Sequence, residues 1–249
     1  MATVLSYGGG RQTTAMCVLI ARGVLPRPDR IVMADTGRER PSTWAYLAAH
    51  VQPMLSPLGL AVEIVSPANG EPCVHSNAGD LIIPAFTGTS KFSSFCSGTW
   101  KRDRVNSYLS GGGGGEKWIG FAVDEGRRIR KALGSDGRSG WKLRFPLAEL
   151  CLTTADCLRL VVAHGLPEPA VSSCWMCPNQ RNSEWRQIRV DAELWAKACE
   201  MDEQIRADDL ASGGDGIWLH HSRVPLREAD LDAPDGEAAR QCGLGMCFV

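Results

Sequence analysis

One stretch constrains the fold of this chain more than any other. An apolar run, Thr3-Val4-Leu5, passes through Ser6-Tyr7-Gly8-Gly9-Gly10-Arg11-Gln12-Thr13-Thr14 into an amphipathic segment, Ala15 to Arg22. The order is strand, glycine loop, helix. Three consecutive glycines let the backbone turn sharply and aim several N–H groups at one spot, with a helix N-terminus behind them. Such a nest suits phosphate. It is not a Walker loop, because no Gly-Lys-Ser/Thr follows, and not a dinucleotide G-x-G-x-x-G, because position 13 is Thr. Taken alone, the loop also fits an ordinary tight strand-to-helix turn.

Short apolar strands alternate with helical segments along the rest of the chain. Strands are expected at 3–6, 30–34, 61–65 and 117–122, and helices at 12–22, 41–56, 99–109, 153–164 and 183–207. This rhythm predicts an α/β fold, a Rossmann-like parallel sheet with helices on both faces and ligands at the carboxyl ends of its strands. Gly8 to Gly10, Asp35-Thr36-Gly37 and Asp124-Glu125 all fall at the ends of expected strands and should converge on one crevice. The Gly111–Gly115 run reads as a flexible connection, because no helix follows it. Residues 66–95, rich in Ser, Gly, Asn and Pro, read as a long excursion of the kind used for lids or partner loops. The expected organisation is a nucleotide-binding domain over 1–170. A helical C-terminal region over 171–249, ending in a small cysteine-rich extension, packs on it as one unit.

With 249 residues, 44% of them hydrophobic, the chain can build one good-sized core. The N-terminus lacks a basic segment followed by a long apolar one, and no run approaches the ~18 apolar residues of a membrane span. A cytoplasmic chain without a membrane partner is therefore expected. Ten cysteines in that setting point to metal or catalytic thiols rather than a disulfide framework. The net charge of −1 supplies no global field toward nucleic acid. Its distribution is uneven: residues 91–144 carry 12 Lys/Arg against 5 Asp/Glu, and residues 191–240 carry 5 against 13. The basic middle fits a polyanionic substrate, a nucleotide pocket or a solvated face.

The loop resembles that of the ATP-pyrophosphatase and phosphoadenylylsulfate (PAPS) reductase superfamily, S-x-G-G-x-x-S/T, with Ser6, Gly8, Gly9, Gly10 and Thr13 in those places. Further segments resemble the same superfamily, in order. Ile31-Val32-Met33-Ala34-Asp35-Thr36-Gly37, followed by Glu39, Pro41 and Thr43, is similar to its second-strand D-T-G motif. Cys96-Ser-Gly-Thr-Trp-Lys101 is similar to C-x-x-x-x-K, and Gly120-Phe-Ala-Val-Asp124-Glu125-Gly-Arg127-Arg128 to G-x-x-x-D-E-x-x-R. Phe145-Pro146-Leu147, then Thr153-Thr154-Ala-Asp156, resembles a P-L…T-x-x-D passage into a helix. Cys174-Trp-Met-Cys177-Pro178 resembles the C-x-x-C-P of iron–sulfur and thiolation branches. These motifs span roughly residues 3 to 180.

The resemblance implies a PP-loop nucleotide-binding enzyme of HUP-type fold that takes ATP or an adenylyl sulfate with Mg²⁺. It places Ser6, Gly8, Gly9, Gly10, Arg11, Thr13, Asp35, Thr36, Gly37, Asp124, Glu125, Arg127 and Arg128 around the nucleotide. Arg11, Lys101, Arg127 and Arg128 are candidate oxyanion contacts, since guanidinium and ammonium pair well with phosphate or sulfate. Asp35 and Asp124-Glu125 are candidates for holding Mg²⁺ or orienting a ribose. Lys101, Asp35 and Cys242 are the candidate catalytic residues.

The cysteines divide by context. Cys17, Cys157 and Cys199 sit in helical patterns and read as core or helix-surface residues. Cys73 and Cys151 are singletons. Cys174 and Cys177, on a loop before a helix, can reach one metal or cluster. Cys96 lies 78 residues before Cys174, which matches the resemblance's 4Fe–4S arrangement; the reductive relatives have two adjacent cysteines there, whereas Phe95 precedes Cys96. Cys247 or Cys242 could supply the missing ligand. The alternative is Zn²⁺ on Cys174, Cys177, Cys242 and Cys247; the iron–sulfur arrangement with Cys96, Cys174, Cys177 and Cys247 is preferred. The five histidines show no metal spacing, and His220-His221 would point to opposite faces if extended. Trp175, Trp185 and Trp195 read as packing residues.

Gln241-Cys242-Gly243-Leu244-Gly245 resembles the E-C-G-L-H tail of PAPS reductases, with Gln for Glu and Gly for His. Two chemistries follow. In the preferred one, ATP adenylates an oxygen of a DNA, RNA or nucleotide acceptor, and sulfur from a cysteine desulfurase or other donor displaces AMP. In the other, a cysteine attacks the sulfur of an adenylyl sulfate, as in sulfonucleotide reduction. A nucleotide-binding partner subunit with a structural zinc is the non-enzymatic alternative.

Overall fold

The computed structural model describes residues 1–67, 70, 72–92, 95–135 and 140–234. Five strands, β1 (Ala2–Ser6), β2 (Arg30–Ala34), β3 (Val62–Val65), β4 (Gly115–Ile119) and β5 (Trp141–Arg144), form one all-parallel sheet in the order β3-β2-β1-β4-β5. Val4 pairs with Arg30 on one side and Lys117 on the other, so β1 is the central strand. Alternate residues on these strands face opposite layers, as a period of two requires. Leu5, Ile31, Met33 and Trp118 pack with α1 (Arg11–Ala21) and with Leu47, Val51 and Leu55. Val4, Val32 and Ala34 pack on the other side with Val105 and Leu109. Burial on both faces explains why the strands read as apolar runs rather than as alternations.

The second helical segment runs as α2 (Pro41–Tyr46), a π-helical turn (Leu47–Val51), α3 (Gln52–Leu55) and a 3₁₀ turn (Ser56–Leu58), ended by Gly59 in the left-handed region. Beyond it, a π-helical turn (Ser97–Arg102) leads into α4 (Asp103–Leu109). After β4 come α5 (Gly126–Ser135), α6 (Pro146–Glu149) and α7 (Thr154–Ala163). Thr153 caps α7, accepting from Asp156 N at 3.2 Å, while Asp156 Oδ2 accepts from Thr153 N at 2.9 Å. This reciprocal cap holds the Asp156 carboxyl down at about 2, chiefly through the Thr153 hydroxyl.

Several expectations are corrected. β5 and α5 lie where no element was expected, and Gly115 begins β4 instead of ending a linker. The helix expected over 183–207 is two, α8 (Asn182–Arg189) and α9 (Ala192–Ala211), because Asp191 turns extended and accepts from Leu194 N at 3.0 Å as the cap of α9. Among the described residues no helix is long and apolar enough to cross a membrane.

The described residues fall into two compact units. The first, 1–72 with 97–172, contains the sheet and α1 to α7. The second is discontinuous, 73–96 with 173–234, so the expected excursion belongs mostly to it. There Phe86 and Trp218 exchange backbone hydrogen bonds of 2.8 and 2.9 Å. Asp202, fully buried, accepts from Leu219 N, Leu226 N and Arg206. His220 is buried between Asn182 Oδ1 (2.8 Å) and Ser222 Oγ (2.7 Å). Its ring lies 4.2 Å from that of His221, so the pair occupies a turn and not opposite faces of a strand.

Candidate functional site

Strand order places the site. From β1 the chain steps to β2 and β3 on one side, and later places β4 and β5 on the other. The carboxyl ends of β1 and β4 therefore flank the switch point, where the loops leaving the sheet diverge and open a crevice. Ser6 ends β1, buried, and the glycine loop follows.

The loop backbone is held in one shape. Gly9 has φ +73°, the left-handed region, and a Cβ there would stand 2.6 Å from Thr43 Cγ2. Thr13 Oγ1 accepts from Gly8 N at 3.3 Å and donates to Gly10 O at 3.2 Å, while the Ser172 hydroxyl donates to Gly8 O. Gly10 is the N-cap of α1 with extended backbone, and no side chain caps the helix. The first-turn amides of an eleven-residue helix thus lack the acceptor that a Ser, Thr or Asp cap supplies. Tyr7, beside the loop, is buried with its hydroxyl 3.3 Å from Thr14 Oγ1; burial raises its phenol pKa, so it stays neutral.

At the end of β2, Asp35 Oδ1 accepts from Gly37 N at 2.7 Å and Oδ2 from Ser66 Oγ at 3.3 Å. Thr36 Oγ1 accepts from Arg38 N at 3.2 Å. These contacts make the Asp-Thr-Gly segment a rigid turn. Arg104 donates to the Asp35 carbonyl; burial lowers its pKa and the Asp35 charge opposes that shift. Arg38, Glu39 and Arg40 are all buried beside this turn. Lys101 forms an ion pair of 2.8 Å with Glu39, whose side chain is fully buried. Arg38 lies over the Trp100 ring and donates to Pro72 O at 2.8 Å.

The third wall follows β4. A Cβ on Gly120 would stand 2.6 Å from Thr13 Cγ2, so glycine lets the end of β4 approach α1 closely. Glu125 accepts from Ala122 N (2.9 Å), from Gln12 Nε2 (3.3 Å) and from Arg128, tying this turn to α1. Arg128 also stacks over Phe121 at 4.2 Å. Asp124 accepts from Thr154 N at 3.0 Å and from its hydroxyl at 3.2 Å, at the start of α7. Arg11 pairs with Glu168.

Ser6, Gly8 to Gly10, Thr13, Asp35 to Gly37 and Glu125 thus share one end of one sheet. Asp124, Arg128 and Arg11 hold protein partners there, and Arg127 is exposed on α5. The contributions of Gln12, Arg104 and Ser172 were not anticipated, and Glu39, Thr43 and Gly120 entered only as motif positions with no role assigned. The charged run Arg38-Glu39-Arg40, directly after Asp-Thr-Gly, was a usable signal; Ser172, 164 residues from Gly8, offered none.

The cysteines separate by burial. Cys17, Cys157 and Cys199 are fully buried, and burial pushes their thiols up to about 12, 12 and 11. They are packing residues. Cys96, Cys174 and Cys177 all belong to the second unit, where Cys177 N donates to Cys174 O at 3.1 Å in a tight turn. Gln180 Nε2 braces that turn, donating to Trp175 O at 3.0 Å. Among the described residues no three His, Cys, Asp or Glu side chains gather as a metal site. Cys96, Cys174 and Cys177 therefore do not fit a cluster by themselves, and no chemical step is routed through one. Cys242 and Cys247 lie outside the described residues.

No family model and no curated protein matches the sequence. Among solved structures, the chain is similar to phosphoadenylyl-sulfate (PAPS) reductase from Candida auris in its phosphate complex, at 14% identity over 70% of this chain and 82% of that one, with a TM-score of 0.43.

Proposed function

We propose that this chain is an adenine-nucleotide-dependent enzyme of the PP-loop, PAPS reductase-like superfamily. One observation carries the reading: an uncapped helix N-terminus stands behind Gly8 to Gly10 at the switch point of a parallel sheet. Backbone amides and the positive end of the α1 dipole favour an anion there. The loop takes the polyphosphate or phosphosulfate end of the nucleotide, and Asp35 to Gly37 orient the nucleoside. Arg104, beside the Asp35 turn, supplies positive charge for the reacting phosphate, and Lys101, held by Glu39, is the proposed hydrogen-bond donor to it. The ordered sequence motifs support the same assignment.

The finer reading is ATP-dependent sulfur transfer to a nucleic-acid or nucleotide acceptor. The acceptor oxygen attacks the α-phosphorus and pyrophosphate leaves. The outer sulfur of a cysteine persulfide, loaded by a donor protein, then displaces AMP. A second thiol cleaves the resulting disulfide to free the thiolated product, leaving a cysteine disulfide that a dithiol reductant reopens. Gly245 supports it, standing where the reductase tail has His. Cys242 is the proposed sulfur carrier and Cys247 its neighbour thiol; a 4Fe–4S cluster or Zn²⁺ on Cys174 and Cys177 would need ligands from that tail.

Gly10→Asp tests the loop. Its backbone is extended and a Cβ would lie 3.5 Å from Ser172 Cβ, an ordinary contact, so aspartate fits and caps α1. Its carboxylate would occupy the anion's place. Calorimetry with ATP and with adenosine 3′,5′-bisphosphate is expected to show binding in the wild type, lost in an equally stable Gly10→Asp protein. Unchanged affinity removes the loop from the site. Assays for AMP and pyrophosphate with nucleic acid present, and for sulfite from PAPS, then separate sulfur transfer from reduction.

A further inference from the structure

The helix α5 carries an exposed cationic face. Its sequence, Gly-Arg-Arg-Ile-Arg-Lys-Ala-Leu-Gly-Ser, holds four cations and no acid. Ile129 and Ala132 point inward, packed with Ile119, Phe121 and Phe145, and Arg128 is turned to Glu125 and Phe121. Arg127, Arg130 and Lys131 stand at i, i+3 and i+4, so they share the opposite face, and all three are exposed. Arg127 and Arg130 have no ion-pair partner among the described residues. Among the described residues, acids near them in sequence are engaged elsewhere: Glu125 by Arg128, Glu116 and Glu149 by Arg144, and Asp156 by Arg159. Asp124 accepts from Thr154. Arg127 and Arg130 thus stand side by side without an ion pair among the described residues.

We propose that this face of α5 binds the phosphate backbone of a nucleic acid. Arg127 and Arg130 lie about 4.5 Å apart along the helix axis, and a nucleic-acid strand rises about 3.4 Å along its own axis per phosphate. Two guanidinium groups one helical turn apart can therefore each take one of two successive phosphates. A membrane surface fits less well, because an interfacial helix inserts a whole apolar face, whereas on α5 Ile129 and Ala132 pack against the protein and Leu133 alone is an exposed large apolar residue. The inference rests on the nucleic-acid acceptor of the proposed function, for which it supplies a docking surface; it does not depend on the glycine loop.

The test is fluorescence anisotropy with a labelled 20-base-pair DNA duplex and the corresponding single strand, from 50 to 200 mM salt, on the full chain. The wild type is expected to bind with a salt slope of about −0.9 per duplex phosphate contacted. Arg127→Gln/Arg130→Gln is expected to bind more weakly and to lose about 1.8 from that slope. Over the fourfold salt range the wild type then weakens about tenfold more than the variant. Arg189→Gln/Arg227→Gln removes the same net charge from exposed, paired arginines and is expected to keep the wild-type slope. No DNA binding at 50 mM salt overturns the proposal, as does an equal effect of the two double variants. Competition by poly-glutamate as effective as by DNA overturns it in favour of an acidic protein. Binding confined to phosphatidylserine vesicles overturns it in favour of a membrane. Calorimetry with ATP on the wild type keeps the readings apart: ATP binding without DNA binding sinks this proposal alone, and DNA binding without ATP binding sinks the nucleotide reading.

Discussion

Replacing Gly9 with alanine tests whether the loop's shape is fixed by the fold or chosen by the ligand. Two costs can be worked out separately. An alanine at φ +73° occupies the left-handed region, at about 1–2 kcal/mol. Its Cβ would also sit 2.6 Å from Thr43 Cγ2, a contact that must open by nearly an ångström; overpacking of that kind costs about 1–3 kcal/mol. Reduced freedom of the unfolded chain returns about 0.4–1 kcal/mol. The net expectation is a loss of about 2–4 kcal/mol. Thr43→Ser removes the offending methyl, alone costing about 1 kcal/mol for a buried methyl group. In Gly9→Ala/Thr43→Ser the overlap is relieved and only the backbone strain remains, so a double-mutant cycle should return a favourable coupling of about 1–2 kcal/mol. Urea midpoints at constant m-value measure all four proteins. A Gly9→Ala protein within 0.5 kcal/mol of wild type, on the order of measurement error, would refute the reasoning, and so would a cycle that is additive.

Other outcomes are expected from the same geometry. Gly120→Ala should cost about 1–3 kcal/mol and weaken ATP binding, because its Cβ pushes α1 from the end of β4; unchanged thermal stability would contradict it. Native iodoacetamide labelling at pH 8, mapped by mass spectrometry, should modify exposed Cys73 and Cys151 and spare Cys17, Cys157 and Cys199, whose thiols lie at about 12, 12 and 11. Equal labelling of both groups would show that the three are not core residues. Thr153→Ala should cost about 1 kcal/mol through the α7 cap. Because the folded carboxyl of Asp156 lies near 2, below its unfolded value of about 4, its contribution is complete above that value and fades as pH falls toward 2. The stability difference between wild type and Asp156→Asn should accordingly shrink across that window; a constant difference would exclude the linkage.

Local signals were legible where the chain interacts with its near neighbours. The strand–loop–helix unit at the N-terminus was read from composition and period, and β2, β3 and the start of α7 followed the same logic. What escaped has physical causes. β5 is four residues, Trp-Lys-Leu-Arg, whose Arg144 pairs with Glu116 and Glu149 instead of marking a loop. The helix α5 carries little apolar surface, so its period is written in arginines rather than in leucines. At the site, motif positions located the loop and the Asp-Thr-Gly turn. The motifs did not anticipate that Lys101 faces Glu39, or that Arg128 turns to Glu125. Those pairings are set by side-chain geometry across elements, which a linear reading cannot resolve.

The discontinuity of the second unit has a consequence for the chain as it is made. Phe86 pairs with Trp218, and Lys91 with Asn179, so the early piece of this unit must wait for its partners. At roughly 5–20 residues per second, the ~130 residues between Phe86 and Trp218 take about 7–26 s to synthesise. During that interval Phe86, buried in the finished protein, lacks its later partners Trp218 and His221. Dilution from denaturant presents both pieces at once, whereas a ribosome presents them in sequence. The yield of this protein in a cell therefore depends on the speed of translation as well as on its stability.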